Sequence, residues 1–165
     1  MKFLLYIFNF NKIKKKYLII FFYFVLTFII FDRLCSFFLN SLLNLSTLPH
    51  AELYAGKGKS EIIILGDSRG YRSFDENYFS NKTKKKTRNY SLIGGSTLIN
   101  EIIIKDYLDI YNEPPKIILF EISNLLMGNE AIKEFRVFGY KSKRISDFLK
   151  NKYPKIYYGE KLSNL

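Results

Sequence analysis

Residues 61–70, "EIIILGDSRG", decide the fold. Three isoleucines and a leucine run unbroken, then give way to Gly66, Asp67, Ser68, Arg69 and Gly70. An apolar run without polar alternation predicts a strand covered on both faces, as in parallel sheets. Two further segments have this character, 89–93 "NYSLI" and 116–122 "KIILFEI". Between them, residues 96–115 place Leu98, Ile102, Ile103 and Leu108 at helical spacing. Ser96 or Thr97 can cap that helix and Pro114–Pro115 can stop it. Strand, helix and strand joined by short links form a right-handed crossover, so the expectation is an α/β domain with a parallel sheet.

Around this unit the signals are plainer. Residues 75–89, "DENYFSNKTKKKTRN", predict a short helix and an exposed basic turn. Further on, 129–140 and 143–153 read as amphipathic helices joined around Gly139. Residues 154–160, "PKIYYGE", are a fourth-strand candidate. Three strands make a thin sheet for this architecture.

From Tyr17 to Phe31 the chain runs 15 residues without a charge, after the cluster "KIKKK" at 12–16. A spanning helix needs about 20 residues. Snorkelling lysines at one end and "LCSFFL" beyond Asp32 and Arg33 extend the run enough to predict one transmembrane helix over 17–39. The preceding lysines predict a cytoplasmic N-terminus, which puts the rest of the chain outside the cytoplasm. No small-x-small cleavage site follows, so the segment reads as an uncleaved signal anchor. Residues 40–59 are expected to form a membrane-proximal stalk or linker, with "GKGKS" at 56–60 as a flexible boundary. His50 is expected to be exposed there, beside Pro49. The expected division is a basic cytoplasmic segment 1–16, an anchor 17–39, a stalk 40–59 and a domain 60–165.

The single Cys35 excludes an internal disulfide framework and reads as a buried thiol in or near the membrane. The chain carries 26 Lys+Arg against 15 Asp+Glu. Six of those bases and one acid lie in the first 50 residues, leaving 20 and 14 for the remainder. The net charge of +11 therefore owes much to the anchor flank, which argues against a nucleic-acid partner. The basic run at 81–88 could meet acidic glycans, but such runs are usually solvated loops. No metal-ligand spacing, phosphate loop or nucleotide fingerprint occurs, so neither metal nor cofactor is expected.

All three strand ends carry residues suited to acyl transfer. Ligand sites in open parallel sheets lie beyond the carboxyl ends of the strands. A serine at a strand-to-helix turn projects its hydroxyl from a rigid base, and its own N–H can face a developing oxyanion. That describes Ser68. A glycine after the second strand, Gly95 in preference to Gly94, lets the backbone approach and lend a second N–H. After the third strand, Asn124 could donate a third bond, with Ser123 as competitor.

These blocks resemble the SGNH, or GDSL-type, hydrolases. "ILGDSRG" at 64–70 is similar to the nucleophile block and "NYSLIGGS" at 89–96 to the glycine block. "FEISNLL" at 120–126 departs from the usual Gly-x-Asn-Asp, since Glu121 stands where glycine might be and Leu125 follows the asparagine. The nearest subgroup is the membrane-anchored bacterial proteins linked to envelope polysaccharides. The resemblance implies a flavodoxin-like parallel sheet, incomplete at about three strands. It also implies Ser68 as nucleophile, Gly95 and Asn124 as oxyanion donors, and acyl esters of envelope glycans as substrate. It covers residues 60–125 and fades afterwards.

The family's Asp-x-x-His near the C-terminus has no counterpart, because the only histidine, His50, precedes Ser68. A serine without a base is a poor nucleophile. Three explanations stand. The chain is the N-terminal part of a longer enzyme, or an inactive member that binds a glycan or protein, or half of a site completed by a partner chain. A small membrane protein with no site, its basic loop meeting anionic surfaces, is a further alternative.

Overall fold

The computed structural model describes residues 15–122 and 135–163. It opens with one long helix, α1 (Lys15–Leu45). This helix runs through Asp32 and Arg33 without a break, the two side chains lying 4.0 Å apart. Among the described residues it is the one helix long and apolar enough to cross a membrane. Its phenylalanines, isoleucines and leucines point outward, and Phe21, Phe24 and Phe37 are each more than 60 % exposed. Cys35 lies on the same outward-facing surface of this helix, within the candidate span.

Helix α2 (Pro49–Tyr54) follows, with proline in its first turn, where the missing N–H costs nothing. Strand β1 (Ile62–Leu65) is fully buried. Helices α3 (Ser68–Ser73) and α4 (Glu76–Thr83) lead to β2 (Thr87–Asn89). Helix α5 (Thr97–Tyr111) crosses to β3 (Ile117–Phe120), and α6 (Lys143–Lys152) and α7 (Pro154–Ser163) close the described chain. Both strand pairings are parallel and the order is β2-β1-β3. This is the expected mixed α/β layout with a three-stranded parallel sheet.

The helix starts were written in the sequence. The side chains of Asp67, Asp75, Ser96 and Ser142 accept from the first-turn N–H groups of α3, α4, α5 and α6. Each satisfies an amide that the helix itself cannot. Lys84 after α4 and Asn112 after α5 take left-handed conformations that end those helices. Helix α5 thus stops at Tyr111, ahead of the two prolines.

Four expectations change. The second strand begins at Thr87, not Asn89, although Tyr90 N–H still donates to the Ile64 carbonyl and continues the ladder. Among the described residues strand β3 is not covered on both faces: Ile117 and Ile118 are 43 % and 44 % exposed. Residues 154–160 are helical, as part of α7. Of the helix expected over 129–140, residues 129–134 lie outside the described residues, and Phe135–Phe138 form a short 3-10 turn.

Of the stalk expected over 40–59, the part from Pro49 onward packs with the domain. Ala51, Leu53 and Tyr54 are buried in one core with Ile63, Leu65, Tyr90, Ile103, Tyr107, Ile145 and Leu149. The "GKGKS" turn is tied down as well. Tyr90 donates to the Gly58 carbonyl, and the Tyr107 hydroxyl bonds both N–H and carbonyl of Ser60. Ile62 and Ile64, pointing to the other face of β1, are equally buried.

Candidate functional site

Ser68 is the first residue of α3, immediately beyond the carboxyl end of the central strand. Its side chain is half-buried. The preceding Asp67 is buried, and its Oδ1 accepts from Arg69 N–H at 2.8 Å. Asp67 is therefore a cap that fixes the turn beneath Ser68.

Two glycines let α3 descend onto the strand ends. A Cβ on Gly66 would stand 2.7 Å from the Glu121 Cβ, and one on Gly70 would stand 2.6 Å from the Ser91 Oγ and 3.4 Å from the Glu121 Cβ. Real side chains do not approach so closely, so α3 would have to lift away from β2 and β3. Asn89 holds it down from the other side. Its Nδ2 donates to the carbonyls of Gly70 and Phe74, and its Oδ1 accepts from Ser91 N–H. Arg88 ties the same strand to α2 and α4 through Glu52 and Glu76.

The glycine loop reaches the same place. A Cβ on Gly95 would lie 2.8 Å from the Gly66 carbonyl oxygen, so the loop after β2 abuts the turn before Ser68. Gly95 N–H donates to the Leu92 carbonyl at 2.7 Å, closing a tight turn in which Gly94 takes φ +73°. An oxyanion would therefore compete with Leu92 for that hydrogen. Asn124 and Ser123 lie outside the described residues.

Ser91 and Glu121 were not singled out as site residues, yet both side chains meet α3 beside Ser68. Ser91 is 1 % exposed and its hydroxyl has no hydrogen-bond partner among the described residues. The signal for both was position: each stands at the carboxyl end of a strand flanking β1.

His50 is not an exposed stalk residue. It is half-buried on α2, its Nε2–H donating to the Tyr90 carbonyl at 3.0 Å. Its ring meets Phe135 edge-on at 4.8 Å and Tyr90 at 5.8 Å. Burial lowers its pKa from 6.5 to about 4, against a smaller opposing effect of the Tyr90 bond. The imidazole is thus neutral and engaged in packing, and Ser68 has no bonded base among the described residues.

A separate cleft of about 270 Å³ opens at the amino ends of the strands, between Lys59, Glu61, Lys86, Glu113 and Lys116. Two of its three lysines are paired, Lys59 with Glu113 and Lys116 with Glu61. It lies at the end of the sheet opposite Ser68. Among the described residues no group of three or more His, Cys, Asp or Glu side chains could hold a metal ion.

No family model, curated protein or solved structure matches the chain.

Proposed function

We propose that the chain is a single-pass membrane protein whose α/β domain is of the SGNH type, acting as a hydrolase or O-acyltransferase on acyl esters of cell-envelope glycans. The observation that carries this reading is Ser68 at the first position of a helix, directly beyond the central strand of a parallel sheet ordered β2-β1-β3. That order is also the beginning of a flavodoxin-like sheet. The glycan substrate rests on the resemblance alone. The lysines before the apolar helix favour a cytoplasmic N-terminus and an extracytoplasmic domain.

In this mechanism Ser68 Oγ attacks the acyl carbonyl carbon. Its N–H, the Gly95 N–H and the Asn124 amide meet the oxyanion, each strong donor lowering the barrier by about 2.7–4 kcal/mol. Gly95 contributes by exchanging its bond to Leu92 for one to the oxyanion. Ser68 has no bonded base among the described residues to take its proton, and a partner chain completing the domain is the proposed source. The tetrahedral adduct collapses with cleavage of the ester C–O bond, the departing alcohol taking the proton from that base, and the acyl-enzyme passes its acyl group to water or to a glycan hydroxyl and frees Ser68.

The alternative is a non-catalytic envelope protein that uses the same strand-end cleft to bind a glycan or a protein. It is favoured by the engaged, neutral His50. Fluorophosphonate labelling of native membranes, where any partner is present, separates the two. The enzymatic reading expects labelling of the wild-type chain that Ser68→Ala abolishes. A folded wild-type chain that takes up no label in a Ser68-dependent way decides for the binding reading.

A further inference from the structure

Two ammonium groups converge where the apolar helix enters the domain. Lys57 Nζ donates to the Asn44 carbonyl at 3.3 Å and Lys141 Nζ to the Asn44 Oδ1 at 2.5 Å. These lysines come from turns far apart in the chain, and neither meets a carboxylate among the described residues. A third, Lys86, reaches the Lys57 carbonyl at 3.2 Å. Part of this arrangement is helix capping, since cations favour the carbonyl end of a helix. Capping does not account for two like charges at one residue. Burial, and then the Lys57 charge, lower the pKa of Lys141. Each ammonium has three donors and spends one on Asn44, so four remain for an acceptor between them.

The length of α1 says what that acceptor is. At 1.5 Å per residue, Tyr17 and Asn44 are about 40 Å apart along the axis. A bilayer measures about 40–45 Å with both headgroup layers included. With Tyr17 at one boundary, Asn44 and its two lysines stand at the phosphate level of the other. Aromatic and basic residues suited to that layer flank them. Tyr140 is exposed beneath the Lys141 ammonium, and α7, which packs beside α1, carries Lys155, Tyr158 and Lys161.

We propose that Lys57 and Lys141 form a binding site for the phosphate of an anionic phospholipid in the leaflet where α1 ends. The site rests on the membrane-anchor reading and is independent of Ser68. An anionic surface enriches near it by about fivefold for each lysine.

The test uses the full chain in nanodiscs of phosphatidylcholine, alone or mixed with phosphatidylglycerol, with amine acetylation read at each lysine by mass spectrometry. Lys84 and Lys85, on the turn after α4, serve as internal reference. Lys57 and Lys141 are expected to react on the order of fivefold more slowly in the anionic discs, with the difference removed by high salt. Equal rates in both discs, with the chain inserted, would overturn the lipid site and leave the anchor reading intact. Equal protection by soluble glycerol phosphate in the zwitterionic discs would also overturn it, by assigning the lysines to a free anion. A chain that does not insert and is stripped by alkaline carbonate defeats both readings.

Discussion

Replacing Asp106 by alanine is expected to lower unfolding stability by about 1–3 kcal/mol, chiefly the cost of leaving the buried Tyr54 hydroxyl without its acceptor. Asp106 is 4 % exposed on α5. Its two oxygens accept from the Tyr54 hydroxyl and from the Arg144 guanidinium, both at 2.8 Å, and so join α2, α5 and α6. Burial, and then the Asp106 charge, push the Tyr54 hydroxyl well above its ordinary pKa, so it stays a donor at every working pH. Without Asp106 that hydroxyl loses its acceptor while Tyr54 remains stacked on Phe138 at 4.7 Å. Asp109 is the control. It accepts from the same guanidinium at 2.6 Å, but its side chain is 64 % exposed, so Asp109→Ala should cost less than about 1 kcal/mol. Urea titration of the full chain in mild detergent measures both. Similar losses for the two variants would contradict the three-helix junction.

Acidification should weaken the fold through His50. The unfolded imidazole takes up a proton near pH 6.5, whereas the folded one does so near 4. Between those values the unfolded state binds more protons, so stability rises with pH. The contribution is complete above about 6.5 and lost as pH falls to about 4, amounting to about 3–4 kcal/mol. His50→Gln keeps a donor for the Tyr90 carbonyl and removes the titration. Carboxylates titrate in the same window, so the measured quantity is the difference in slope between wild type and variant. Equal slopes from pH 6.5 to 4 would show that His50 is accessible to protons in the folded state.

The strongest periodicities were the easiest to read. Ile62–Leu65 could hardly be other than a buried strand, and Ser96 before "TLINEIII" announced its helix. What escaped the sequence was tertiary. A six-residue helix such as α2 is too short for its apolar spacing to show, so His50 was placed in solvent. Thr87–Asn89 carries no apolar signal although Thr87 and Asn89 are buried, because their polar groups are satisfied by hydrogen bonds and Arg88 is paired with Glu52 and Glu76. Tyr157 and Ile156 suggested a strand, yet they serve as the packing face of a helix against the core. The strand-end serine was legible from local pattern alone. The convergence of Ser91 and Glu121 on Gly70 was not, since it requires the register of three strands.

Under the proposed hydrolase reading, Ser68 is a nucleophile short of a base. Imidazole can supply one in solution. The direct measurement is the rate at which the purified full chain takes up a fluorophosphonate at Ser68, followed as imidazole is added. The account predicts slow uptake without imidazole, a rise in proportion to its concentration, and no uptake by Ser68→Ala. Folded protein that stays unlabelled at every imidazole concentration would contradict it.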